Sequence, residues 1–67
     1  MADIAEVDAK TQTARINVYS PANCSISCSA MNGKTKKSGS GKVTEFQIKL
    51  NEKENTYCEI GIEDSDG

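Results

Sequence analysis

The side chains able to do chemistry in this chain are three cysteines, ten carboxylates and eight cations; histidine is absent. Cys24 and Cys28 stand four positions apart, with Cys58 distant. Three thiolates supply only three of the four ligands a structural zinc site needs, and no imidazole is present to complete it. Without His, neither a Ser-His-Asp nor a Cys-His nucleophile can be assembled, and the commonest general base is missing. The carboxylates gather towards the ends, as Asp3, Glu6 and Asp8 and as Glu59, Glu63, Asp64 and Asp66. That distribution reads as solvated strand faces and termini rather than a catalytic dyad. Gly33-Lys34-Thr35 imitates the end of a phosphate-binding loop, but the earlier glycine would have to stand at Cys28. Gly41-Lys42 is followed by Val43 instead of Ser or Thr, so neither segment matches. The expectation is a protein that is not an enzyme, with no cofactor and no metal.

Two groups remain as candidates for binding. Lys34, Lys36, Lys37 and Lys42 lie in a stretch, residues 31–42, that contains no acid and is punctuated by Gly and Ser. Tyr57, Glu59 and Glu63, with Asp64 beside them, form a candidate acidic face. The first would steer the chain towards an acidic partner and the second towards a basic one.

The elements that position these groups follow from length and alternation. At 67 residues and a net charge of −2, the chain is one small domain, residues 1–67. Its strong core formers (six Ile, three Val, one Leu and one Phe) are few. A domain of this size buries only about 60% of its unfolded surface. No apolar run approaches the ~18 residues of a membrane span, so no membrane association is expected. The first six residues, Met1-Ala2-Asp3-Ile4-Ala5-Glu6, have neither a basic start nor an apolar block. A secretory signal is therefore not expected, and a cytoplasmic location is.

Period-2 alternation recurs four times. Ala14, Ile16 and Val18 share one face of residues 13–20, which Pro21 ends. Cys24, Ile26, Cys28 and Ala30 alternate with Ser25, Ser27 and Ser29. Thr44, Phe46, Ile48 and Leu50 alternate with Glu45, Gln47 and Lys49, and Thr56, Cys58, Ile60 and Ile62 with Tyr57 and Glu59. In the first dozen residues, Ile4 and Val7 with Ala5 and Asp8 would suit a short helix, but Ala5, Val7 and Ala9 favour a further strand, turning near Lys10-Thr11-Gln12 to pair with residues 13–19. The expected fold is all-β, with four to five antiparallel strands forming a small sandwich or a single sheet with one covered face. Its core should hold Ile16, Val18, Ile26, Cys28, Phe46, Ile48, Ile60 and Ile62. The polar turn over residues 51–55 should join the last two strands as a hairpin. Residues 31–42 should be the one long loop, or a loose hairpin with partly paired arms.

All three cysteines fall on the expected core face. They read as buried free thiols, or as a disulfide from Cys28 or Cys24 to Cys58 that staples two layers, or as a partial metal site. Self-association, for example as a homodimer, is also expected, because so few core formers leave a sheet face or edge for a second chain to cover.

The run Asn55-Thr56-Tyr57-Cys58-Glu59-Ile60-Gly61-Ile62-Glu63-Asp64-Ser65-Asp66-Gly67 resembles the closing strand of bacterial immunoglobulin-like and PKD-like repeats. Thr56-Tyr57, Ile60, Ile62, Asp64 and Gly67 hold the matching places. The resemblance implies a β-sandwich, with Cys28 and Cys58 on strands facing each other across it, and carries over no binding or catalytic residue. By size and composition the chain is also similar to small phage-encoded inhibitor proteins of the anti-CRISPR type. Three functions are thus expected in order: a small cytosolic protein-binding inhibitor or regulator of a larger host machine; an immunoglobulin-like structural or adhesive module of an exported, secreted protein; and a nucleic-acid binder using Lys34, Lys36, Lys37 and Lys42. The last is disfavoured by an isoelectric point of about 4.9 and by few aromatics for stacking.

Overall fold

The computed structural model describes residues 1–31 and 33–64. Six strands form: β1 (Ala2–Asp8), β2 (Thr13–Tyr19), β3 (Cys24–Ala30), β4 (Gly33–Ser38), β5 (Val43–Lys49) and β6 (Glu59–Asp64). No described residue is helical. Every pairing is antiparallel, and the strands divide into two three-stranded sheets of order β1-β2-β5 and β4-β3-β6. The expected all-β antiparallel class is therefore observed, with more strands than expected.

Alternation explains the core. Ala14, Ile16 and Val18 from β2, Phe46 and Ile48 from β5, and Cys24, Ile26 and Cys28 from β3 are buried together. The first five come from one sheet and the last three from the other, so the two sheets share one core. Ala30, Leu50 and Ile60 pack against its margin. Phe46, Ile26 and Val18 are the largest fully buried side chains. Each contributes roughly 1.5–3 kcal/mol by leaving water.

The first strand forms the expected hairpin with β2, pairing Ile4 with Ile16 and Val7 with Ala14 around an irregularity between Ile4 and Glu6. Asp8 closes its turn: Oδ1 accepts from the backbone N–H of Lys10 at 2.9 Å and of Thr11 at 3.4 Å. Arg15 ties three strands together, reaching Glu6 on β1 at 3.6 Å and Glu45 on β5 at 3.1 Å. All three side chains are about half exposed, so each pair stabilises by no more than about 1 kcal/mol.

One open alternative is decided and three expectations are corrected. Residues 33–38 are not loop but strand β4, paired residue by residue with β3. This is the hairpin alternative, fully formed on that side, and only residues 39–42 connect it to β5. Gly39 makes that connection tight. Its N–H donates to the Cys24 carbonyl at 2.9 Å, and a Cβ there would overlap the Pro21 carbonyl oxygen and the Cys24 Sγ.

Residues 51–55 do not close a hairpin, because β5 and β6 lie in different sheets. Thr56 Oγ1 accepts from the Asn51 N–H at 2.8 Å, and Asn51 Oδ1 accepts from the Lys53 N–H at 2.9 Å. Such side-chain bonds compete with ladder formation, and β6 starts at Glu59 rather than Thr56. Cys58 is consequently exposed instead of lying in the core. Ile62 is paired with buried Ile26 yet 47% exposed, and Ile60 is only partly buried. Both point to the inner side, but β6 is an edge strand and its flank is not covered.

Candidate protein-binding face

Strand pairing places both candidate charge groups on one surface. On the outer side of the β4-β3-β6 sheet, Ser29 of β3 is flanked by Lys34 and Glu59, Ser27 by Lys36 and Gly61, and Ser25 by Ser38 and Glu63. A column of serines thus runs down the middle, with lysines on one flank and glutamates on the other. Adjacent strands are about 4.8 Å apart, so the two charged columns stand roughly 10 Å from each other. Among the described residues no ion pair joins the two columns, and their separation is close to one Debye length at 0.1 M salt. Each column keeps its own field.

The surface between the columns is hollowed. Two adjoining depressions share Ser27, Lys34 and Gly61: one of about 270 Å³ that also takes in Ser25, Lys36 and Glu63, and one of about 160 Å³ that also takes in Ser29 and Glu59. Gly61 creates the hollow. A Cβ at this position would lie 2.8 Å from Ser27 Oγ. A larger depression of about 510 Å³ lies elsewhere, among Lys10, Gln12, Lys49, Asn51 and Lys53. Most of its lining is turn and loop, and no ladder fixes its charges relative to one another.

The remaining candidates are dispersed. Lys37 is paired with buried Ile26 and therefore turns to the inner side. Its ammonium sits 5.0 Å from the Phe46 ring centroid and donates to the Glu45 carbonyl. Lys42 lies in the turn after Gly41, where its carbonyl accepts from the Ser20 N–H at 3.3 Å. Asp64 pairs with buried Cys24 and lines a separate depression of about 460 Å³ with Pro21 and Ile62. Tyr57 is 81% exposed and precedes β6. Asp66 and Gly67 lie outside the described residues.

Cys24, Cys28 and Cys58 carry free thiols. Burial pushes the Cys28 thiol up from its ordinary value of 9.0, and the nearby Cys58 thiol adds to the effect. A raised value means less thiolate, the reverse of what a nucleophilic cysteine needs. Among the described residues no group of three or more Cys, Asp and Glu is placed to hold a metal ion, and no helix is long and apolar enough to cross a membrane.

The serines and Gly61 are the members of the face that sequence reasoning leaves unassigned. Alternation puts the serines outward, but only the strand order β4-β3-β6 shows which charges flank them. Compared with family models, curated proteins and solved structures, the chain matches none.

Proposed function

We propose that this chain is a non-enzymatic protein-binding module that engages its partner through the outer face of the β4-β3-β6 sheet. The observation that carries this reading is the pairing of Lys34 and Lys36 on one flank with Glu59 and Glu63 on the other, across serines and the Gly61 hollow. Two columns of opposite charge fixed on a rigid sheet favour one docking orientation and disfavour its reverse. Lys34 and Lys36 stand about 7 Å apart along β4, and Glu59 and Glu63, with Gly61 between them, about 13 Å apart along β6. The matching surface presents acids and bases in two rows roughly 10 Å apart. A small domain that works by occupying such a surface suits an inhibitor or regulator of a larger machine.

Nucleic acid fits less well. The four lysines do not form one track, since Lys37 faces inward and Lys42 sits in the turn, and the glutamates repel phosphates. The test is affinity capture from the source cell with three baits: the unaltered chain, Lys34→Glu with Lys36→Glu, and Glu59→Lys with Glu63→Lys. A protein retained by the first bait and lost from both variants, each still folded, is the expected result. Retention by both variants would remove this face from the interaction.

A further inference from the structure

The two sheets end in edges of opposite charge. Strand β1 is an edge of its sheet and is exposed along its whole length; it carries Asp3, Glu6 and Asp8 and no cation. Strand β4 is an edge of the other sheet and equally exposed; it carries Lys34, Lys36 and Lys37 and no acid. An edge strand leaves a row of backbone N–H and C=O groups open to another chain, and rows of like charge deter its pairing with itself. β1 against β1 of a second copy would set acids beside acids, and β4 against β4 lysines beside lysines. β1 against β4 sets acids beside lysines. The same devices that block symmetric pairing favour this one.

The inner side of β1 adds an apolar reason. Ile4 and Val7 pair with the buried residues Ile16 and Ala14, yet are 69% and 59% exposed. The sheet packed on β2 and β5 does not reach them. A strand laid beside β1 covers their outer flank. Strand β6 is also an acidic edge and leaves Ile62 47% exposed, but its Ile60 packs against the core, whereas Ile4 and Val7 of β1 are both more than half exposed. Strand β5 mixes Glu45 with Lys49 and offers no single sign.

We propose that β1 of one copy pairs edge to edge with β4 of a second copy. The contact joins two different surfaces, so each copy keeps a free β1 or β4 and association continues head to tail instead of closing at a dimer.

Sedimentation equilibrium of the full chain at low ionic strength tests this, with three variants. Asp3→Lys with Glu6→Lys reverses β1 while leaving Asp8 to close its turn and Glu45 to hold Arg15. Lys34→Glu with Lys36→Glu reverses β4. Glu59→Lys with Glu63→Lys reverses β6 and serves as the control. The expected mass of the unaltered chain climbs with concentration beyond twice 7.2 kDa without levelling. It returns to the monomer near 1 M salt, where the Debye length is about 3 Å. The β1 and β4 variants are each monomeric alone and associate when mixed, because each supplies the edge the other has lost, and the β6 variant behaves like the unaltered chain. A monomer throughout, a plateau at the dimer, self-association of the β1 variant undiminished, or a mixture that stays monomeric would each overturn the proposal. Should the β1 variant not fold, the β4 variant against the β6 control decides alone. The β1 substitutions leave the outer face of the β4-β3-β6 sheet intact, so loss of self-association is distinguishable from loss of the protein partner.

Discussion

Thr44, Gly39 and Cys28 show how much single residues constrain so small a core. Thr44 lies on the inner face of β5, opposite Val18, and its buried Oγ1 has no hydrogen-bond partner among the described residues. An unsatisfied buried hydroxyl costs about 1–3 kcal/mol. Thr44→Val keeps the shape and removes that cost, so urea denaturation should show a gain of about 1 kcal/mol. Gly39→Ala should do the opposite, losing about 1–3 kcal/mol by the same measurement, because the carbonyl and sulfur it would meet belong to the tight β4–β5 connection. Gly61→Ala is different in kind: its new methyl meets only the rotatable Ser27 Oγ, so partner affinity should fall while stability changes little. Cys28 sets a pH dependence. Its folded-state value is raised, so the unfolded chain gives up its proton first as pH climbs past 9.0. The folded state then holds more protons than the unfolded one, and stability falls with rising pH. Thermal melts between pH 8 and 10, and the same melts of Cys28→Ala, should show the steeper decline in the unaltered chain. Alternation already places Thr44 on the inner face and Cys28 in the core; the crowding at Gly39 depends on how β4 returns to β5, which no periodicity encodes.

At the level of elements, β2, β3 and β5 were legible because strict alternation of apolar and polar residues specifies which face is buried. β4 was not. Its sequence, Gly-Lys-Thr-Lys-Lys-Ser, has no apolar residue, and every position is exposed. It is held by its ladder to β3 and by the inward reach of Lys37 rather than by burial of its own side chains. β6 departs from its alternation for the converse reason: its isoleucines fall on the inner face, but an edge position leaves them half covered. The two lysine faces of β4 should therefore separate in measurement. Lys37→Ala removes a cation and an aliphatic stem from the Phe46 ring and should cost about 0.5–1 kcal/mol in chemical denaturation. Lys34→Ala and Lys36→Ala, on the outer side, should each stay within about 0.5 kcal/mol of the unaltered chain.

For the whole molecule, the proposed binding face follows from strand order. The positive and negative candidates look like rivals in the sequence, some twenty residues apart. The β4-β3-β6 sheet makes them the two flanks of one face, with β3 as the serine floor. An all-β domain with one buried face was readable from alternation; which edges flank β3 was not, because long-range pairing is chosen by shared burial and the geometry of the connections. The direct measurement is backbone nuclear Overhauser contacts in solution around Ser27. The expected result is that Ser27 shows cross-strand contacts to Lys36 on one side and to Gly61 on the other, with slowed amide exchange along β3. Random-coil shifts over residues 33–38, or a Ser27 that contacts Gly61 alone, would contradict the existence of a face carrying both charged columns.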